Sequence, residues 1–166
     1  DARINTLNDG MALDTFSVQD HDASAPSQSA KLDRVFENVE KAIAGELRPD
    51  RELENMKGLP SRTRVFTVAP RVLIDNKASH ARTVIEVNGR DRPGLLYDVT
   101  RALSEVGLQI ASAKISTFGE EVVDVFYVKD VFGMKVEHEG KLNATREALM
   151  AALDESSSAA PVVRVA

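Results

Sequence analysis

The alternation of apolar and polar residues in the second half of the chain predicts a regular succession of strands and helices. Residues 83–87 read Thr-Val-Ile-Glu-Val, a short β-branched run that is typical of a strand. A helix is predicted next, because apolar residues recur at spacings of three or four positions. These residues are Leu96, Val99, Leu103 and Val106. Pro93 stands where this helix opens, and Gly107 stands where a glycine commonly ends one.

Two further strands and a second helix follow. Residues 110–117 and 122–129 flank a turn at 118–121, which predicts an antiparallel hairpin. Residues 142–153 show a second helical pattern. The order β-α-β-β-α predicts an α+β, ferredoxin-like βαββαβ domain, in which the helices cover one face of a four-stranded sheet if a fourth strand is supplied.

The first part of the chain repeats the second. Residues 2–7 match residues 113–118 at an offset of 111, after which the offset becomes 110. At that offset Asp14, Phe16, Val18 and Asp20 fall on Asp124, Phe126, Val128 and Asp130. The first copy therefore contains a hairpin (2–7 and 12–19) and a helix (31–47). It has no counterpart of residues 78–112, so the chain reads as a fragment cut inside a repeat.

The repeat predicts how the chain divides into domains. We expect a truncated first domain with connecting strands over residues 1–75, a nearly complete second domain over 78–153, and a disordered tail over 154–166. Residues 64–68 and 71–74 both read as strands, and either could be the fourth strand. Because the first copy lacks its front half, we also expect it to expose an apolar patch or a sheet edge and to self-associate.

Composition excludes several classes of function. The 166 residues include no cysteine, which rules out disulfides, thiolate metal sites and cysteine nucleophiles, and suits the cytoplasm. A net charge of −5 argues against bulk electrostatic binding to nucleic acid or anionic membranes. The longest apolar run, at 148–153, has six residues, far fewer than the ~20 that span a bilayer.

The segment that joins the first strand of the second copy to its helix offers the most chemistry. The first N–H groups of a helix lack intrahelical acceptors, so a carboxylate could bind there, and Gly94 lets a ligand approach the backbone closely. Asp91 and Asn88 could accept hydrogen bonds from an ammonium group, while Arg90 and Arg92 add positive potential. The candidate ligand-binding residues are Asn88, Arg90, Asp91, Arg92, Pro93, Gly94, Leu95 and Leu96. The residues alone are also compatible with a capped helix that follows a solvated surface loop and binds no ligand.

Residues 83–96 read TVIEVNGRDRPGLL and are followed by YDVTRALSE, which resembles the opening of an ACT domain, a ferredoxin-like module that senses small molecules. Three further features make the resemblance specific to one family. They are the hairpin sequence VVDVFYVKD at 122–130, its degraded upstream copy, and residues 72–79. Together they resemble the C-terminal tandem ACT region of the bifunctional uridylyltransferase/uridylyl-removing enzymes. The resemblance covers residues 1–153.

This resemblance implies a regulatory region that senses glutamine, controls uridylylation and deuridylylation of the nitrogen-regulatory PII protein, and self-associates through ACT pairing. It implies that the catalytic domains, with their Mg²⁺, lie elsewhere on a parent enzyme. The chain itself is then expected to carry no catalytic residue, metal site or cofactor. In such modules a paired ACT domain supplies the opposing wall of the ligand site, here residues 4–7 or 110–116.

Two other functions fit the same fold. An ACT pair could serve oligomerisation alone, without a ligand. An RNA-recognition motif shares the βαββαβ plan, and residues 57–71 carry four basic residues and no acidic one. The predicted third strand, at 122–129, argues against RNA binding, because it carries Asp124 and lacks a basic-aromatic signature.

Several polar residues have simpler interpretations than catalysis. His21-Asp22 and His138-Glu139 lack the further ligands that a metal site requires. Glu120-Glu121 is expected to be a solvated hairpin turn. Asp14 and Asp124 lie on apolar strand faces, where each needs a partner, so we expect a structural hydrogen bond near the end of the sheet, with a ligand contact as the alternative.

Overall fold

The computed structural model describes residues 2–7, 9, 11–17, 28–56 and 68–154. The chain divides into two compact units, one within residues 1–17 and 65–166 and the other within 18–64. The predicted tail beyond Asp154 and nearly all of the predicted strand at 64–68 lie outside the described residues.

The helices and strands alternate much as the sequence predicts. In chain order they are β1 (Ala2–Thr6), β2 (Ala12–Phe16), α1 (Gln28–Ile43), α2 (Pro49–Met56), β3 (Arg71–Asp75), β4 (Thr83–Arg90), α3 (Leu95–Glu105), β5 (Leu108–Ile115), β6 (Thr117–Phe118), β7 (Glu121–Asp130) and α4 (Glu139–Leu153).

One antiparallel sheet runs through the first unit, with the strand order β2-β1-β5-β7-β4-β3 and with β6 paired to β7. Because β7 lies between β5 and β4, the second copy has the split βαβ arrangement of the ferredoxin-like fold. The α+β fold class is therefore confirmed. The fourth position beside β4 is filled by β3, which confirms the strand predicted at 71–74 and places it before the βαββα unit in the sequence rather than after α4.

The core lies between this sheet and α3 and α4. Along β4 the side chains alternate, and Thr83, Ile85 and Val87 are fully buried. Helix α3 buries Val99 and Leu103 as predicted. The core residues are Val72, Ile85, Val87, Leu95, Val99, Ala102, Leu103, Leu108, Ala113, Val122, Phe126, Val128, Val136, Leu149 and Leu153.

The predicted apolar stripe of α3 is wrong at its first residue. Leu96 is 39% exposed, and Leu95 is buried in its place, because the helix starts at Leu95 after Gly94 rather than at Pro93. The predicted end of the helix is confirmed: Gly107 follows the last turn with φ +69°, a conformation that favours glycine.

The register of the two hairpins confirms the repeat. In the first hairpin Ala2 lies opposite Phe16, and in the second Ala113 lies opposite Phe126. These pairs are equivalent under the offsets of 111 and 110 residues. The two hairpins therefore share one pairing pattern.

The hairpins also pair with each other through equivalent strands. In the β1–β5 pairing Ala2 lies opposite Ile115 and Ile4 opposite Ala113. Arg3 lies opposite Lys114, its own equivalent in the repeat. A local twofold axis therefore passes between Arg3 and Lys114, and the contact has the isologous character of a symmetric dimer interface.

The first copy exposes apolar residues that its counterpart buries. Phe16 is 60% exposed, whereas the equivalent Phe126 is 1% exposed. Helix α1 also exposes an apolar stripe, formed by Leu32, Val35, Phe36, Val39 and Ile43. The exposed apolar patch predicted for the first copy is confirmed, and self-association stays a prediction.

The helix predicted over residues 31–47 differs in its bounds, and a second helix was not predicted. Helix α1 starts at Gln28 and ends at Ile43, followed by Gly45 at φ +75°. Helix α2 begins at Pro49, which suits the first position of a helix, and carries Asp50 and Glu52 in its first turn.

A polar network anchors the connection between β3 and β4. The hydroxyl of the fully buried Thr83 donates to Asn76 Oδ1 at 2.7 Å and accepts from the N–H of Val136 at 2.9 Å. Asn76 Nδ2 donates to the carbonyl of Val136 at 2.7 Å, and Lys135 Nζ donates to the carbonyl of Ser79 at 2.7 Å. This network holds β3 in the fourth position.

Replacing Thr83 by Val should remove both hydrogen bonds of its hydroxyl at nearly constant volume. The half-buried Asn76 Oδ1 and the buried Val136 N–H would each lose a partner, so we expect a loss of about 1–3 kcal/mol in the free energy of unfolding. Urea unfolding followed by circular dichroism measures this loss of stability. Thr117→Val, at an exposed strand position, is the control, and equal stability of the two variants would contradict the role of the network.

Candidate functional site

The loop that leaves β4 is held to both helices by Arg92. Its Nη2 lies 2.6 Å from Asp98 Oδ2 in α3 and donates to the carbonyl of Ala152 in α4 at 2.8 Å. The Arg92 side chain is only 16% exposed. The start of α3 and the end of α4 are therefore fixed around one largely buried guanidinium.

Gly94 makes the transition from this loop into α3. It adopts the left-handed conformation with φ 83° at the N-cap position, where other residues are strained. Its carbonyl accepts from the N–H of Asp98 at 2.9 Å, as the first hydrogen bond of the helix. Within the described part of the chain, the N–H groups of Leu96 and Tyr97 donate to no acceptor. The helix therefore presents two backbone donors beside a residue without a side chain.

The turn between β6 and β7 lies against the loop. The carbonyl of Glu120 accepts from the N–H of Asp91 at 2.8 Å, and its Oε2 lies 3.5 Å from Arg90 Nη2. Glu120 is thus ion-paired and partly buried, and the expectation of a solvated turn is wrong for it because the loop from β4 covers it. Since Arg90 and Arg92 are paired with carboxylates, neither supplies the uncompensated positive potential that the sequence suggested.

The eight predicted ligand-binding residues divide into three groups. Asp91, Arg92, Pro93, Gly94 and Leu96 lie together in the loop and at the start of α3. Asn88 and Arg90 alternate with the buried Val87 and Gly89, so they lie on the sheet face opposite the helices. There Asn88 Nδ2 donates to Glu86 Oε1 at 2.9 Å. Leu95 is a core residue.

Asp124 is a buried carboxylate on β7, 2% exposed. Its Oδ1 accepts from the N–H of Ser116 at 3.2 Å, which confirms the expected structural hydrogen bond. Burial raises the pKa of Asp124 to about 6, the Ser116 hydrogen bond opposes the rise, and the charge of Asp91 adds to it. The same expectation is wrong for Asp14, its equivalent in the repeat, which is exposed on the fully exposed strand β2 and whose side chain makes no hydrogen bond with the described residues. Buried carboxylates with raised pKa values are concentrated at functional sites.

Three buried polar atoms in this part of the chain lack a hydrogen bond. Within the described ranges they are Asn88 Oδ1, Arg92 Nε and Glu120 Oε2. All three belong to the predicted loop or to the turn beside it. Natural proteins pair nearly all buried polar groups, so Arg92 Nε is a position that a ligand or water can complete, whereas Glu120 Oε2 is ion-paired with Arg90 and Asn88 Oδ1 lies on the other face of the sheet.

The described residues give no support to the other candidate sites. In the described ranges, no three His, Asp or Glu side chains lie close enough to hold a metal ion. His138 precedes the first turn of α4. His21-Asp22 and most of the basic stretch 57–71 lie outside the described residues. Of the helices described, none combines the length and apolar character needed to cross a membrane.

Comparison with known proteins identifies the fold family. A family model described as an ACR9-like, ACT-like domain matches residues 71–160, more than half of the chain. The chain belongs to the ACT-like domain family. The matched region begins at β3, so it includes the strand that precedes β4. No solved structure matches the chain.

Similar proteins share one name. The chain is 58% identical over 160 residues to the bifunctional uridylyltransferase/uridylyl-removing enzyme of Azospirillum brasilense. It is 52% identical over 157 residues to that of Rhodospirillum rubrum and 50% identical over 163 residues to that of Gluconobacter oxydans. These matches cover 94–97% of the chain and 17% of each relative. The resemblance to this enzyme family is confirmed.

Two segments were predicted as alternatives for the opposing wall of an ACT ligand site, and these two segments lie in contact with each other. Residues 4–7 and 110–116 belong largely to β1 and β5, which pair directly. Thr6 Oγ1 also donates to the carbonyl of Ile110 at 3.4 Å. The ACT-like domain and the first hairpin are therefore joined through these two segments.

The raised pKa of Asp124 predicts a pH-dependent stability. Between about pH 4 and pH 6 the native state holds a proton that the unfolded chain releases, so the free energy of unfolding should fall by about 1–3 kcal/mol as pH rises through this range. Above it, this contribution should be constant. In Asp124→Asn the amide oxygen still accepts from Ser116 and carries no charge, so the fall should disappear.

Urea unfolding at pH 4.5 and pH 7.5, two values ~1.5 pH units either side of a pKa near 6, measures this difference. Asp14→Asn, at the equivalent exposed position, is the matched control and should keep the wild-type pH dependence. An unchanged pH dependence in Asp124→Asn would contradict the assignment to this carboxyl.

Proposed function

We propose that this chain is the glutamine-sensing regulatory region of a longer bifunctional enzyme that uridylylates the nitrogen-regulatory PII protein and removes the uridylyl group. The observation that supports it most is the 50–58% identity with uridylyltransferase/uridylyl-removing enzymes over at least 94% of the chain. Since the chain matches 17% of each relative, the catalytic chemistry and its Mg²⁺ belong to the rest of the parent polypeptide.

The loop between β4 and α3 has the donors and acceptors that a free amino acid requires. The carboxylate binds the N–H groups of Leu96 and Tyr97, at the positive end of the α3 dipole, and Gly94 leaves room for it. The exposed carboxylate of Asp91 accepts from the ammonium group. A charged acceptor next to charged donors favours a zwitterion over a simple anion.

Regulation requires that the ligand bind two arrangements of the protein with different affinity. The pairing of β1 with β5 supplies a candidate element, since it joins the hairpins of both copies about a local twofold axis. The loop is linked to this pairing through the N–H of Asp91, the turn at Glu120 and β7, the neighbour of β5. A ligand that orders the loop therefore acts on the strand pair next to it.

The alternative function is oligomerisation without a ligand. It is favoured by the exposed apolar residues of the first hairpin, among them Met11, Leu13 and Phe16. Strand β2 ends the described sheet and pairs only with β1 among the described strands. Sedimentation velocity of the full-length enzyme with and without glutamine separates the two functions, because a purely structural pair would be insensitive to the amino acid.

Asp91→Asn in the full-length enzyme tests the site. Asp91 is exposed, so the Asp91→Asn variant should fold like the wild type. Gly94→Val would instead strain a residue at φ 83°, so a loss of ligand binding could not be distinguished from a loss of folding. A charge-assisted contact contributes about 1.5–3 kcal/mol, so the half-effect concentration of glutamine should rise about ten- to a hundredfold. Titration of uridylyl transfer and removal against glutamine measures this rise.

The matched control is Glu147→Gln, an exposed carboxylate on α4 away from the loop. It should leave the glutamine titration unchanged, and both variants should keep the basal activities. If Asp91→Asn titrates like wild type, the amino acid does not bind at this loop.

A further inference from the structure

A short loop between β7 and α4 exposes three large apolar side chains. We call residues 131–134 the apolar knuckle: Val131 is 57%, Phe132 84% and Met134 64% exposed. Gly133 completes the loop with φ +79°. Single exposed apolar residues are common on proteins, but three within four residues form a contiguous patch of the kind that marks an interaction site.

The knuckle is held rigidly by Asp130. Its Oδ1 accepts from the N–H groups of Phe132 at 2.9 Å and Met134 at 2.8 Å. Its backbone N–H donates to the carbonyl of Met134 at 2.8 Å, and its carbonyl accepts from Gly133 at 3.0 Å. Four hydrogen bonds thus fix a loop whose apolar side chains point to solvent.

The residues that follow tie the knuckle to the domain. Lys135 donates to the carbonyl of Ser79 at 2.7 Å, and the N–H of Val136 donates to the buried Thr83 hydroxyl at 2.9 Å. The loop therefore cannot easily turn to bury Phe132. A rigid apolar element loses little conformational entropy on binding, which favours a docking role.

The knuckle is specific to the second copy. At the offset of 110, Val131, Phe132, Gly133 and Met134 correspond to His21, Asp22, Ala23 and Ser24. The apolar residues of the knuckle are thus not repeated in the sequence of the first copy. The knuckle also lies at the opposite end of β7 from the turn at Glu120, so it is not part of the candidate ligand site.

We infer that the apolar knuckle docks into an apolar pocket on the catalytic part of the same parent polypeptide. This inference rests on the proposed function, in which this region controls catalytic domains. The relatives extend far beyond the matched region, which is 17% of their length, so a partner on the same chain is at hand.

The size of the patch favours a partner on the same chain over a second copy. Stable interfaces between separate chains bury roughly 1,200–2,000 Å², whereas three side chains offer a few hundred Å². A tethered partner is present at an effective concentration of the order of millimolar, at which a small contact suffices. Docking within one polypeptide is therefore the arrangement that a small rigid patch can sustain.

Photo-crosslinking of the full-length enzyme tests the inference. p-Benzoyl-phenylalanine is placed at position 132, and the crosslinked peptides are identified by mass spectrometry at two protein concentrations. We expect crosslinks within one chain to residues outside the ACT-like region, at a yield that dilution does not change. The matched control places the same residue at Phe118, which is 67% exposed at the other end of the sheet, and should give no such crosslink.

Crosslinks to a second copy, to the PII protein, or to no protein segment at all would each overturn the inference, as would equal crosslinking from both positions. Phe132→Ala should also reduce the maximal change that glutamine causes in the two activities, by about fivefold or more. Its backbone N–H still binds Asp130, so the loop should keep its shape. An enzyme that ignores glutamine would contradict the proposed function but not the crosslink, so the two failures are distinguishable.

Discussion

The geometry of the candidate site depends on the largely buried guanidinium of Arg92. It joins the loop after β4 to Asp98 in α3 and to the carbonyl of Ala152 in α4. An unpaired buried cation would be costly, so the ion pair and the carbonyl contact must form together. This requirement orients the start of α3, and with it Gly94 and the two free N–H groups. The backbone donors of the proposed site are therefore held in place by contacts within the protein.

The remaining charges near the loop are arranged so that they do not compete with a ligand. Arg90 is paired with Glu120. Asp124 is buried beneath the loop with a raised pKa, and Asp91 stands exposed at the surface. Backbone donors and one free carboxylate thus remain for a zwitterion. The same loop contacts the turn before β7, and β7 pairs with β5, the strand beside the local twofold axis between the copies. The site is therefore connected to this axis through β7 and β5.

The local pattern of the sequence predicts the elements well and the contacts between them poorly. The β-α-β-β-α order, the hairpin register and the end of α3 at Gly107 follow from periodicity, the repeat and one glycine. The pairing of Arg90 with Glu120 could not be predicted, since the partners are separated by thirty residues and meet only when β4 lies beside β7. The sequence also left open whether residues 64–68 or 71–74 form the fourth strand, and β3 fills that position by pairing antiparallel with β4, the next strand along the chain. The exchange of Leu95 for Leu96 in the core arises from the left-handed Gly94, which delays the helix by two residues.

Hydrogen exchange of the full-length enzyme, with and without L-glutamine, tests the central claim most directly. The N–H groups of Leu96 and Tyr97 lie at the start of α3 without an acceptor among the described residues, so they should exchange fast in the free enzyme. Bound glutamine should slow both, while D-glutamine should have less effect. Protection that leaves Leu96 and Tyr97 unchanged and appears elsewhere in the enzyme would contradict a ligand site at this loop.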